Sequence, residues 1–193
     1  MNAEARPAPV RPSLRHRRPP MLKITLIAVA VLIAVAVIVQ VVGMMVPRRH
    51  VATRKAFYRQ TPERIWTMIT DLDAMPTWRP GVQRVERLPD DNGLPVWIEH
   101  TRTGPLPLAV LEWDRPRRMV GRINDEKLPF GGTWTYEITP VEGGAELRIT
   151  EDGEIKSAIF RFMARFAFGY HKTMEQYLTA LGRHFGEEVA PQE

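Results

Sequence analysis

The chain has 193 residues, no cysteine and a formal charge of +5. The missing cysteine excludes disulfides, thiolate metal sites and cysteine nucleophiles. The residues ahead of Ile24 carry +5, Arg48 and Arg49 carry +2, and everything beyond them carries −2. The basic excess therefore flanks an apolar run, where it meets anionic lipid headgroups, and does not argue for a nucleic-acid partner.

Residues 1–20 hold five prolines and five arginines with almost nothing apolar to bury, which reads as a disordered basic tail. Residues 24–46 follow without a formal charge: ITLIAVAVLIAVAVIVQVVGMMV. As a helix this run spans about 35 Å, enough for a hydrocarbon core of about 30 Å. Valine and isoleucine favour strands in water, but a single strand leaves its backbone unsatisfied in lipid, so helix wins. A cleaved signal peptide has an apolar region of about 7–15 residues before an A-x-A-like site. Here the run is longer and ends in Met44-Met45-Val46-Pro47. A retained single-pass anchor is the reading that fits. Both flanks are basic, so charge counting alone does not orient it. Long domains translocate largely regardless of charge whereas short tails obey the positive-inside rule, which puts the tail in the cytoplasm and the domain outside.

The remainder, 51–186, has the size of one domain with its own core, followed by a short disordered tail at 187–193. Residues 51–59 predict a strand. Thr61, Pro62 and Glu63 are a helix cap, first position and first turn, and Ile65, Trp66, Ile69 and Leu72 recur at helical spacing. Pro76 and Pro80 end that pattern and leave room for a short turn or second small helix. Six strand-like runs come next, near 81–88, 94–102, 106–114, 117–124, 132–141 and 144–152. Several alternate with period two, as Trp134, Tyr136 and Ile138 do against Thr133, Thr135 and Glu137. Asp91-Asn92-Gly93 and Glu142-Gly143-Gly144 are hairpin signals. A long helix is expected over 154–185, with an apolar face from Ile159, Phe162, Met163, Phe166, Tyr170, Met174, Tyr177, Leu178 and Leu181, and Gly186 just beyond its end. The fold class is α+β: a curved antiparallel sheet of seven strands around one long C-terminal helix, preceded by a transmembrane helix.

That element order, with Thr61-Pro62-Glu63-Arg64-Ile65-Trp66, then Asp71-Leu72 and Trp78-Arg79-Pro80-Gly81-Val82, resembles the START-like, helix-grip superfamily. More narrowly it is similar to the polyketide cyclase/dehydrase and lipid-transport group, often called SRPBCC. The resemblance covers nearly all of 51–186, with Met75 standing where an aromatic is usual. It implies an apolar cavity between sheet and helix that holds a lipid, sterol, polyketide or quinone.

Chemistry-bearing patterns are sparse. The two serines, Ser13 and Ser157, lie in no G-x-S-x-G elbow, and the five histidines show no H-x-H or H-E-x-x-H spacing. There is no dinucleotide fingerprint or P-loop, and neither metal nor cofactor is expected. Glu99, Arg102, Glu112, Tyr136, Arg148 and His171 are the candidates for acid or base work. The preferred reading makes them outward-facing charges and puts His171 on the solvent side. The cavity lining expected from strand parity is Ile98, Leu108, Val110, Met119, Trp134, Tyr136 and Leu147, with Ile159, Met163 and Phe166 from the helix. Trp66 and Trp78 are assigned to packing. The leading function is a membrane-anchored binder of a hydrophobic small molecule, its partners being the bilayer and that ligand. A polyketide cyclase/dehydrase-type enzyme and a cavity-less membrane-tethered interaction domain are the alternatives.

Overall fold

The computed structural model describes residues 20–193; the tail expected at 1–20 lies, but for Pro20, outside them. The described residues divide into two units, the first ending at Ile38 and the second running Val39–Glu193. Helix α1, Pro20–Met45, is continuous. Its residues 21–45 are long and apolar enough to cross a membrane, a property shared by spans and signal sequences.

Beyond it the elements are β1 (Arg49–Tyr58), α2 (Pro62–Thr70), α3 (Met75–Trp78), β2 (Val82–Asp91), β3 (Leu94–Thr101), β4 (Gly104–Asp114), β5 (Arg118–Ile123), β6 (Phe130–Val141) and β7 (Gly144–Ile155). Helices α4 (Ala158–Met163) and α5 (Lys172–His184) follow, joined through a π-helical turn at Ala164–Phe168. The seven strands form one antiparallel sheet in the order β1-β7-β6-β5-β4-β3-β2. This is the α+β helix-grip arrangement expected from the sequence.

Local chemistry accounts for the elements. The Thr61 side chain accepts the Arg64 amide at 3.3 Å, with Pro62 at the first helical position, so α2 starts where its cap stands. Asp71 Oδ1 accepts the amides of Asp73 and Ala74, each at 3.1 Å, and turns the chain into α3. Ile65, Trp66 and Ile69 of α2 pack with Leu147 and Ile149 of β7 and with Met174, Leu178 and Leu181 of α5 in one core. The Tyr58 hydroxyl donates to the Leu178 carbonyl at 2.8 Å and ties β1 to α5.

The single helix expected over 154–185 is corrected. β7 continues to Ile155 because both its neighbours keep pace with it: Glu154 pairs with Arg49, and Phe130 pairs with Ile155. The Ile155 amide donates to the Arg48 carbonyl and the Lys156 amide to the Pro129 carbonyl, each at 2.8 Å. Ladder bonds on two sides outweigh the start of a helix. Gly153 permits this, since a Cβ there would run into the His50 ring. The remaining helical stretch is broken at Gly169, whose φ of +75° no helix accommodates. Helix α5 then ends with Arg183 and His184 in its last turn and Gly186 at φ +73°, as read from the sequence.

Candidate functional site

Between the concave face of the sheet and α5 lies a cavity of about 250 Å³. Its walls are mostly apolar: Ile69 and Met75 from the small helices, Leu106 and Leu108 from β4, Met119 and Ile123 from β5, and Trp134 from β6. Gly121 opens one wall, since a Cβ at that position would meet nothing within 4 Å. A second cavity of about 470 Å³ shares Arg79, Glu99, Leu106, Phe130, Trp134, Thr173 and Tyr177 with the first.

One corner is polar. Arg79 forms an ion pair with Glu99, whose side chain is 1% exposed against 16% for Arg79. The Glu99 oxygen that takes the guanidinium also accepts the Trp97 indole N–H at 3.3 Å. Arg79 lies at the C-terminal end of α3, where its amide donates to the Met75 carbonyl at 2.9 Å, and its guanidinium sits 5.3 Å over the Tyr177 ring. Tyr177 is in contact with Tyr136, Trp134 and Trp78, at centroid separations of 5.8, 6.0 and 5.1 Å. Burial pushes the Tyr136 hydroxyl up to about 12 and raises Tyr177 well above the ordinary tyrosine value, so both phenols are neutral donors at physiological pH. Burial alone would lower the Arg79 pKa, but the Glu99 carboxylate holds it above its usual value. The corner thus offers a compensated ion pair and two protonated hydroxyls to whatever enters an otherwise apolar space.

Of the lining expected from sequence, Leu108, Met119, Trp134 and Tyr136 border this cavity. Ile98 does not: β3 has the opposite parity, and Trp97 and Glu99 point inward while Ile98 faces away. Val110 and Leu147 belong to the solid core. Along β6 the cavity ends at Tyr136, and Leu147 pairs with Ile138 beyond that point. Ile159 and Phe166 are corrected to the surface, at 49% and 60% exposure, because the break at Gly169 takes them out of phase with α5. Met163 borders a separate hollow of about 300 Å³ with Phe160 and Phe168. The helical wall is instead Thr173 and Tyr177 of α5. The outward reading of polar candidates holds for Arg102, Glu112 and Arg148, which are exposed, and fails for Glu99, while Tyr136 takes the inward position that its place in the expected lining required. His171 is also corrected: its Nδ1 is buried and has no hydrogen-bond partner among the described residues. Arg79 and Tyr177 were missed, the first as part of a fold motif and the second as packing. Trp66 and Trp78 are buried in the core, as assigned. Two cavities are present where the cavity-less alternative expects a filled interior.

An antiparallel sheet closed over a C-terminal helix, with a cavity between them, defines a helix-grip domain of the START type. The sequence model for "Polyketide cyclase / dehydrase and lipid transport" matches residues 49–186, and the chain belongs to that family. No curated protein matches it. Among solved structures it is similar to the Zhui aromatase/cyclase from Streptomyces sp. R1128, at 12% identity and a TM-score of 0.61, over 70% of this chain and 93% of that one. It is similar as well to a START superfamily protein from Mycobacterium smegmatis, at 16% identity and a TM-score of 0.55, over 70% and 96%. A protein from Rhodobacter sphaeroides aligns at 21% identity and a TM-score of 0.52, over 72% and 99%. At these identities the likeness is one of fold.

Proposed function

We propose that this protein is a membrane-anchored binding protein for one hydrophobic small molecule, of the lipid, quinone or polyketide-like class. The observation that carries this reading is the mostly apolar cavity with a polar corner at Arg79, Glu99, Tyr136 and Tyr177; the one further carboxylate on its lining, Glu151, is partnered by His50 at 3.2 Å. Apolar walls bind by burial, at about 25 cal/mol per Å² of surface removed from water, and few polar groups are needed to set orientation. Arg79, Tyr136 and Tyr177 donate hydrogen bonds and suit a ligand oxygen, a carbonyl or hydroxyl, at one end of an apolar body. Because Glu99 already compensates Arg79, a neutral oxygen fits this corner better than an anion. The apolar helix α1 retains the domain at the bilayer that supplies such molecules, with its N-terminal tail in the cytoplasm and the domain outside.

Native mass spectrometry of the full-length protein released from detergent tests the reading. We expect a species heavier than the bare chain by one apolar compound, lost on collisional activation. Bare chain alone, under conditions that keep the fold, would contradict it. A polyketide cyclase/dehydrase-type activity is the second reading, favoured by the convergence of four polar groups on one cavity, which is what polarising a carbonyl requires. The two separate on incubation: a binder returns the bound compound unchanged, and a cyclase returns it altered.

A further inference from the structure

The described surface carries one concentration of bare aromatics. Ile159, Phe160, Phe166 and Phe168 are 49–60% exposed, and all lie on α4 and the π-helical turn that follows it. Isolated exposed hydrophobes are ordinary, but a contiguous group on one segment marks an interaction surface. Its position narrows the partner. Gly43 is buried against Ala158 so closely that an added Cβ would collide with the Ala158 carbonyl. The Arg161 guanidinium, buried at 6% exposure, donates to the Gly43 carbonyl at 2.9 Å. The aromatic segment therefore begins at the residue that touches the end of the apolar run. Phe168 lies ten residues further on, within about 15 Å along a helical path.

The strands supply an independent bearing. Register places Arg49, Glu154, Ile155 and Phe130 at one rim of the sheet. Phe130 is itself 41% exposed and borders the wider cavity together with Phe160. Val141, at the other end of β6, is about 36 Å away. Charges of both signs stand near the segment, Glu151 and Glu154 bordering the hollow beside it, but those against the exposed rings are cationic. Arg165 lies 5.9 Å over the Phe166 ring and Lys172 lies 6.0 Å over the Phe168 ring, while Arg48 and Arg49 are exposed at the start of β1. Lys156, just past Ile155 on that rim, donates to the Glu126 backbone carbonyl. Aromatic rings flanked by arginine and lysine on a short helical segment are the make-up of an interfacial anchor on anionic lipid.

We infer that the Ile159–Phe168 segment is a second membrane contact, with its aromatic side chains inserted at the headgroup boundary of the bilayer that α1 spans, so that the mouth of the wider cavity at Phe130 and Phe160 opens on lipid. The inference rests on the anchor reading and is independent of which ligand the cavity takes. It also gives a reason for the break at Gly169: an uninterrupted helix in phase with α5 would turn these side chains toward the sheet.

The cysteine-free chain makes the test direct. Single substitutions Phe160→Cys, Phe166→Cys, Phe168→Cys and Val141→Cys carry a nitroxide in the full-length protein, reconstituted into mixed phosphatidylcholine and phosphatidylglycerol vesicles. Labels at 160, 166 and 168 should gain accessibility to oxygen and lose accessibility to a water-soluble nickel chelate, whereas the label at 141 should read as aqueous. All four positions are exposed, so the fold has no stake in them, and near-UV circular dichroism verifies this for each variant. Aqueous readings at 160, 166 and 168 in protein that resists carbonate extraction would overturn this inference alone. Aqueous readings in protein that carbonate removes would overturn the anchor as well.

Discussion

Replacing Gly121 by leucine tests the cavity most sharply, because every term can be worked from the structure. Gly121 borders the cavity between Met119 and Ile123 of β5, and its missing Cβ points into open space. A leucine there adds four carbons, worth at most about 3 kcal/mol at ~0.8 kcal/mol per buried methylene. Removing glycine's freedom in the unfolded chain contributes about 0.4–1 kcal/mol more, against about 0.5–1 kcal/mol for fixing the new side chain. The two entropic terms nearly cancel, so the net is a gain of at most about 3 kcal/mol, or up to roughly 9 °C in Tm for a domain of this size. The same four carbons occupy space a ligand needs. G121L should therefore melt higher by circular dichroism while the ligand-bound species disappears from its native mass spectrum. This is the reverse of the usual result for a core substitution, where added volume destabilises. A fall in Tm of several degrees would mean that the wall is closed, and undiminished ligand occupancy would mean that the compound sits elsewhere. Either result refutes the reasoning.

Glu99→Gln leaves the Arg79 charge without a partner, and breaking a buried pair in this way costs about 3–5 kcal/mol. With Arg79 partly reached by solvent, a loss nearer about 3 kcal/mol is expected from urea midpoints at constant slope. The double variant Arg79→Met with Glu99→Gln should recover more than half of it, and a double loss equal to the sum of the singles would show the two residues to be uncoupled. Burial raises the Tyr136 pKa from 10.0 to about 12, so its contribution to stability is complete below pH 10 and is lost as pH rises toward about 12. Tyr136→Phe should flatten the alkaline limb of stability against pH relative to the unmodified chain. An unchanged limb would place that phenol in contact with solvent.

How much of this was legible depends on what each residue's neighbours in sequence reveal. The cap at Thr61, the hairpins at Asn92-Gly93 and Gly143-Gly144, and the alternation through β6 are local, and strands and small helices followed from them. The course of the chain from Glu151 to Tyr170 is not local. Acids at 151, 152 and 154 suit the first turn of a helix, yet Arg49 and Phe130, far away in sequence, hold residues 151–155 in the sheet. Gly169 was visible as a glycine within a helical pattern, and such a residue is tolerated often enough that its spacing alone could not mark a break.

The polar corner was hidden for a different reason. In β3 the alternation Val96, Trp97, Ile98, Glu99 carries an apolar residue on both faces, so hydrophobicity alone does not choose the parity. Taking isoleucine as inward put Glu99 in solvent, where an unpaired carboxylate belongs. What reverses the choice is Arg79, twenty residues earlier, at the end of a helix too short to announce which way its last side chain points. With the guanidinium in place, Glu99 can be buried, Trp97 follows it inward and donates to it, and Ile98 is displaced to the other face. A charge pair thus accounts for which face of β3 turns inward, and that choice gives a mostly apolar wall a group that can recognise an oxygen.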